Sequence, residues 1–130
     1  MNSADRMLQA RRKAELRGRR SETIATILLI AKGYRILARR MRNPAGEIDL
    51  VALAPFGPVC FIEVKARAVE RDAVESVGFQ QRGRIARAAN LYLAQRPALA
   101  GRGSRFDVIT VAKGSRPRHY RAAWRSGDNS

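Results

Sequence analysis

The pattern of apolar and polar residues predicts two β-strands joined by a tight turn near the middle of the chain. Apolar residues dominate Glu47–Ala54 and Val59–Arg67, and the turn formers Pro55, Gly57 and Pro58 lie between them. Side chains alternate between the two faces of a strand. One face of this hairpin is therefore expected to be buried, and it carries Ile48, Leu50, Ala52, Cys60, Ile62 and Val64.

The opposite face of the hairpin concentrates charge. Alternation places Glu47 with Asp49, and Glu63 with Lys65, and all four meet if the strands pair in the simplest register. They are then either solvated residues with cross-strand ion pairs or a cation site. Two carboxylates about 4 Å apart repel by about 1 kcal/mol in water and ~4 kcal/mol near a protein surface. A hard cation such as Mg²⁺ would relieve this repulsion more fully than one lysine.

The residues before the hairpin predict a helix and a strand. Ser21 is a suitable N-cap for a helix that reaches Lys32, and Gly33 ends it. Tyr34–Arg40 alternates as a strand, and a turn follows at residues 43–46. The expected core stripe of the helix consists of Ile24, Ile27, Leu28 and Ala31.

The residues after the hairpin predict a polar loop over 68–78, a helix and at least one more strand. The helix spans about Gln80–Gln95, and Arg105–Ala112 forms the strand. A strand–helix–strand connection normally makes the last strand parallel to Val59–Arg67. The tail adds a short strand in one interpretation, and Trp124 is expected to cover an edge of the core. The predicted fold is α/β, with elements in the order α-β-β-β-α-β and a mixed sheet flanked by helices.

Composition and charge narrow the class of partner. The 130 residues suit one domain, and the net charge of +15 favours nucleic acid as the partner. A single cysteine excludes internal disulfides and cysteine-based zinc sites. The chain shows neither a signal peptide nor an apolar run long enough to span a membrane, so a cytoplasmic location without a membrane partner is expected. Cys60 is expected to be buried, and His119 to lie on the surface.

Four motifs together resemble the YraN family of bacterial proteins. They are Gly33–Arg40, Gly46-Glu-Ile-Asp-Leu-Val-Ala52, Phe61-Ile-Glu-Val-Lys-Ala-Arg67 and Arg105-Phe-Asp-Val-Ile109, within a resemblance covering residues 18–124. That family is similar to Holliday-junction resolvases and to the restriction-endonuclease-like nucleases. The resemblance implies a restriction-endonuclease-like core over residues 18–125. The charge pattern before it predicts a basic arm or frayed helix over 1–17, and residues 126–130 are expected to form a disordered tail.

The resemblance also implies a metal-dependent phosphodiester hydrolase using Mg²⁺ or Mn²⁺. Asp49 and Glu63 match its metal ligands, and Lys65 matches the lysine that activates the attacking water. Glu22 matches an acidic residue of the first helix that binds metal through water or at a second metal. Gln81 matches a glutamine or lysine next to the site, although Gln80 is close enough to leave the register between the two open. Glu47 and Asp107 lie in family motifs without an assigned role.

The implied partner is DNA rather than RNA, with branched or structured DNA among the candidate substrates. Resolvases work as dimers, so a homodimer is an open alternative. Two rival functions also stay open: a nucleic-acid-binding module that keeps the nuclease scaffold without turnover, and a basic adaptor on ribosomes or anionic membranes. The residues expected to bind nucleic acid are Arg39, Arg40, Arg67, Arg84 and Arg87.

Overall fold

A five-stranded mixed sheet with a helix on each face forms the body of the protein. The structure is a computed structural model and describes residues 2–66 and 77–125. The predicted α/β class and order of elements are confirmed, with a short third helix and a fifth strand added. The elements are α1 (Ser3–Ala31), β1 (Arg35–Asn43), β2 (Gly46–Leu53), β3 (Val59–Lys65), α2 (Phe79–Ala94), α3 (Pro97–Ala100), β4 (Ser104–Thr110) and β5 (Arg118–Trp124).

The strands lie in the order β1-β2-β3-β4-β5, so β1 and β5 are the two edges. The first three strands are antiparallel neighbours. Strand β4 is parallel to β3, as predicted for a connection through a helix, and β5 returns antiparallel to β4. Trp124 at the end of β5 is buried and stacks on Phe106 with ring centroids 4.1 Å apart, so it covers a core edge as expected.

Each face of the sheet has its own apolar core. The α2 side packs Phe61, Phe106 and Val108 against Ile85 and other residues of α2. The α1 side packs residues including Ala25, Leu29, Leu50, Cys60 and Ile62. Cys60 is buried as predicted, and burial raises the pKa of its thiol to about 12.

Ile48 departs from the predicted buried face. It packs in the α2-side core, whereas Leu50 and Ala52 pack on the α1 side. Strict alternation along β2 would place all three together. The alternation is therefore interrupted at Asp49, which lies between Ile48 and Leu50.

Helix α1 begins earlier than predicted and buries a different stripe. Asn2 is the N-cap and accepts a hydrogen bond from the Asp5 N–H at 2.8 Å, so the prediction of Ser21 as the N-cap is wrong. Ala25 and Leu29 are buried, whereas Ile24 and Ile27 are exposed. The helix surface around residues 24–31 is apolar on nearly every side, so the periodicity did not determine which face packs.

The β1–β2 hairpin is fixed against α2 through its turn. The Asn43 side-chain oxygen accepts from the N–H groups of Ala45 and Gly46, and its amide donates to the Ala88 carbonyl at 3.0 Å. Gly46 passes close to α2, because a Cβ on it would lie 3.6 Å from the Arg84 carbonyl oxygen. This contact sets where the acidic residues of β2 lie relative to α2.

Some expectations fall on residues that the structure does not describe. They are the Arg67 contact, most of the loop predicted over 68–78 and the disordered tail at 126–130. Among the described residues, no helix has both the length and the apolar character needed to cross a bilayer.

Candidate active site

The candidate site lies where strands β2 and β3 separate. Within the described sheet their pairing runs from Leu53 opposite Val59 to Leu50 opposite Ile62. Beyond that point β3 continues beside β4, and β2 continues beside β1. The Asp49 carboxylate occupies the fork and accepts a hydrogen bond from the Val64 N–H at 2.8 Å. A side chain thus replaces a backbone partner and opens the sheet locally.

Asp49 and Glu63 form a tight pair of acids in this fork. Glu63 is buried, and Asp49 is half-buried. Burial, followed by the negative charge of Asp49, raises the pKa of Glu63 to about 8. Burial also raises the pKa of Asp49. Both shifts favour a protonated acid in the pair, because neighbouring carboxylates that are shielded from water do not both ionise readily.

Two further residues of the predicted site contact or influence this pair. The Gln81 amide donates to Glu63 Oε2 at 3.2 Å, which identifies Gln81 rather than Gln80 as the glutamine that contacts the site. Lys65 is half-buried, and its positive charge opposes the pKa rise of both acids. Glu63 Oε1 is buried without a hydrogen-bond partner among the described residues. One oxygen of the pair is therefore left to interact with a ligand.

Glu22 reaches the same region from α1 but is held by arginines. Arg40 Nε lies 2.8 Å from Glu22 Oε2, and Arg39 Nε lies 3.4 Å from Glu22 Oε1. The charge of Glu22 contributes to the raised pKa of Asp49, so the two acids are electrostatic neighbours. Glu22 thus faces the acidic hairpin, but its charge is already neutralised by the two arginines.

A cleft of ≈ 460 Å³ opens beside the fork. One wall is α1, and the floor is formed by β1, β2 and the end of β3. Its walls are mostly polar and carry both signs of charge. The lining residues are Glu15, Gly18, Arg19, Glu22, Arg40, Arg42, Glu47, Ile48, Asp49 and Val64.

Not all predicted residues converge on the fork. Glu47 is exposed and pairs with Arg42 at 3.0 Å, so the expectation that all four charged hairpin residues meet is wrong. Arg84 and Arg87 are exposed on α2. The interruption of alternation at Asp49 separates Glu47 from the buried pair. The described residues contain no cluster of three or more acidic, histidine or cysteine side chains arranged to hold a metal ion.

A second polar cluster lies on the α1 side of the sheet around Asp107. Asp107 is fully buried and accepts from Arg105 twice, from His119 and from the Ala122 N–H, all within 3.0 Å. Burial alone would raise the pKa of Asp107, but these hydrogen bonds lower it. Lys32 closes the chain of contacts at 2.7 Å from His119 Nδ1.

The Asp107 cluster corrects the expectation for His119. Its side chain is only 3% exposed, so it is not a surface residue. Arg105 and Asp107 are two residues apart on one strand, and this spacing could have predicted their pairing. His119 carries no comparable local signal, because it reaches Asp107 only through the pairing of β4 with β5.

Comparison with known proteins gives one consistent result. Residues 21–111 match the model described as "Uncharacterised protein family UPF0102". A UPF0102 protein of Maricaulis maris is 51% identical over 124 residues, which cover 95% of this chain and 97% of that protein. One from Paramagnetospirillum magneticum is 46% identical over 129 residues, covering 96% and 98%. The matched region contains the fork, the acid pair and Gln81. The chain belongs to the UPF0102 family, also known as the YraN family.

Proposed function

We propose that this protein is a metal-dependent endonuclease that hydrolyses phosphodiester bonds in DNA, with branched or structured DNA among its substrates. One observation carries the proposal. The buried Glu63 and the half-buried Asp49 are electrostatic neighbours in the fork, the charge of Lys65 acts on both, and Asp49 lines a cleft with arginines in its wall. Their repulsion disfavours the fully ionised pair unless a cation joins it.

The donor set of the fork suits Mg²⁺ or Mn²⁺. Mg²⁺ is commonly bound by one or two carboxylates, with water and phosphate oxygens completing its coordination. Asp49 and Glu63 provide two carboxylates, and Glu63 Oε1 lacks a partner among the described residues. The absence of a third acidic ligand in the described parts of the chain is compatible with such a site. Bound there, the metal would polarise the scissile phosphate and lower the pKa of a coordinated water.

The chain's own residues would position the reacting groups. Lys65 lies beside the acid pair and would stabilise an attacking hydroxide or the negative charge that develops on phosphate. Gln81 fixes the orientation of Glu63 through its hydrogen bond. Arg84 and Arg87 lie exposed on α2 and would hold flanking phosphates without reading sequence.

The test is nicking of duplex, flap and junction DNA in Mg²⁺ or Mn²⁺. Asp49→Ala and Lys65→Ala are each expected to lower the rate about 100-fold or more, since they remove a metal ligand and an electrostatic stabiliser. Glu47→Gln is the matched control, because Glu47 is an exposed acid of the same hairpin. No nicking of any substrate in either metal, or full activity of Asp49→Ala, would contradict the proposal.

A non-catalytic nucleic-acid-binding module is the alternative. The engagement of Glu22 by Arg39 and Arg40 favours it, because only two of the three expected acids meet. This alternative predicts that Asp49→Ala binds DNA as well as, or better than, the parent protein. It also predicts no divalent-ion binding that depends on Asp49, and calorimetry distinguishes the two functions.

A further inference from the structure

The Arg40 guanidinium pairs with one acid of the cleft and is influenced by the charge of a second. Its Nε lies 2.8 Å from Glu22 Oε2. On β1, Arg40 lies between Arg39, which pairs with Leu50, and Met41, which pairs with Ile48, so Asp49 lies at the corresponding level of β2. The hydrogen bond and charge of Glu22 raise the pKa of Arg40, and the charge of Asp49 adds to this effect. Arg40 thus supplies positive charge to two acids at once.

The backbone at Arg40 is arranged for this contact. Arg40 has φ of +51°, a left-handed conformation that is unusual for a non-glycine residue and strained within a strand. Neighbouring strand residues normally point to opposite faces. Here Arg39 and Arg40 both reach Glu22. The left-handed residue therefore brings a second guanidinium to an acid that already has one.

We propose that Arg40 is a positioning residue that holds Glu22 in the free protein and exchanges Glu22 for a phosphate of the bound nucleic acid. This inference rests on the proposed function and adds a coupling to it. When Arg40 moves to phosphate, Glu22 and Asp49 face each other with less positive charge between them. A divalent cation then binds more tightly, and linkage requires that the cation strengthen phosphate binding by the same factor.

Three features make the exchange physically reasonable. The Arg40 side chain is about half exposed, so a phosphate can reach it from the cleft. Guanidinium binds phosphate through two parallel hydrogen bonds, whereas one Arg40 nitrogen hydrogen bonds Glu22 here. Arg39 also donates to the Thr23 hydroxyl at 3.3 Å, so it can keep Glu22 in place after Arg40 leaves.

The test measures Mn²⁺ affinity by calorimetry, with and without a short duplex whose phosphorothioate backbone resists hydrolysis. In the free protein, Arg40→Gln is expected to bind Mn²⁺ about tenfold more tightly than the parent. The duplex should tighten Mn²⁺ binding to the parent by a similar factor and leave Arg40→Gln nearly unchanged. Binding of Mn²⁺ to the duplex alone is subtracted.

The matched control is Arg42→Gln. Arg42 lies two residues away on the same strand, lines the same cleft and pairs with the exposed Glu47. The Arg42→Gln substitution removes the same charge as Arg40→Gln, and Arg42 does not pair with Glu22. Arg40→Gly serves as the second variant, since glycine adopts the left-handed conformation without strain and keeps the strand geometry.

The outcomes separate this inference from the proposed function. Mn²⁺ binding that needs Asp49 but is unchanged in Arg40→Gln and Arg40→Gly overturns the exchange alone. Equal tightening in Arg42→Gln also overturns it, because the effect is then general electrostatics. Absence of Mn²⁺ binding in every protein, with and without the duplex, overturns both proposals.

Discussion

The surroundings of Asp49 and Glu63 differ from those of Asp107. Asp107 is surrounded by hydrogen-bond donors, and its pKa is lowered. Asp49 and Glu63 face each other, and their pKa values are raised. Asp107 is therefore satisfied in the folded chain, whereas the fork disfavours the ionised form of both of its acids. Acids with pKa values perturbed in this way are typical of sites that bind or react.

Replacing Glu63 with glutamine should stabilise the metal-free protein at alkaline pH. A raised pKa means that the folded state keeps a proton that the unfolded state loses, so stability falls as pH rises from about 4.5 to about 8. Glu63→Gln removes this ionisation. Its free energy of unfolding should exceed that of the parent by at least about 1.4 kcal/mol near pH 8, the equivalent of one pKa unit.

Urea unfolding at several pH values across this window measures the effect. Glu47→Gln is the control, because Glu47 is exposed and paired with Arg42, and it should not alter the pH dependence. A parent protein whose stability rises steadily across the window would contradict the assignment of Glu63 as a buried, protonated acid.

The proximity of Asp49 and Glu63 could be predicted, because both lie in one hairpin of short strands and the resemblance names both. The resemblance also added Gln81, and the catalytic role of these residues stays a prediction. The left-handed conformation of Arg40 and its contact with Glu22 could not be predicted, since nothing in the sequence signals either. The interruption of alternation at Asp49 could not be predicted either, because it arises where β2 loses its pairing with β3 and keeps only β1 as a neighbour.

At the scale of elements, the two parts of α1 differ in whether they pack on the sheet. Its second half packs on the sheet through Ala25 and Leu29, and its 29 residues give a length of about 43 Å. In the first half, residues 3–20, every side chain that the structure describes is exposed. Residues such as Arg, Leu, Ala and Gln favour helix without tertiary support, which explains why the helix begins eighteen residues before the predicted N-cap at Ser21.

Deleting residues 1–12 should leave the fold intact and weaken DNA binding. The described side chains of this segment are exposed, so the free energy of unfolding should change by less than about 1 kcal/mol. The segment carries Arg6, Arg11 and Arg12, and their loss should reduce affinity at low salt on the order of tenfold. Glu15, Gly18, Arg19 and Glu22, which line the cleft, stay in place.

Thermal unfolding and fluorescence anisotropy with labelled DNA measure these two effects. Substituting the three arginines with glutamine in the full-length chain is the control, since it removes charge while keeping the helix. A deletion that unfolds the protein, or that weakens DNA binding while the triple substitution leaves it unchanged, would show that the segment acts otherwise than through charge.

At the scale of the whole molecule, the position of a positive charge decides whether it contributes to DNA binding. The net charge of +15 attracts any polyanion. Arg84 and Arg87 follow Gln81 along α2, and Gln81 contacts the fork. Arg102 lies at the other end of the sheet and donates to the Gly57 carbonyl. DNA bound at the fork should therefore contact Arg84 and Arg87 but not Arg102.

Arg84→Gln and Arg87→Gln should each lower the salt dependence of DNA binding. Each lost phosphate contact reduces the slope of log affinity against log salt by about 0.9. Arg102→Gln removes the same charge at the far end and should change the slope little. Anisotropy titrations at several salt concentrations measure the slope, and equal changes in all three variants would indicate binding without a preferred face.

The arginines of the two edge strands have one more consequence, for how copies of this protein behave in concentrated solution. Open strand edges readily recruit further strands, and proteins resist this by placing charge along them. Here β1 carries Arg35, Arg39, Arg40 and Arg42, and β5 carries Arg118 and Arg121. Edge-to-edge stacking of neighbouring copies would bring like charges together, so these residues guard against aggregation of the sheet.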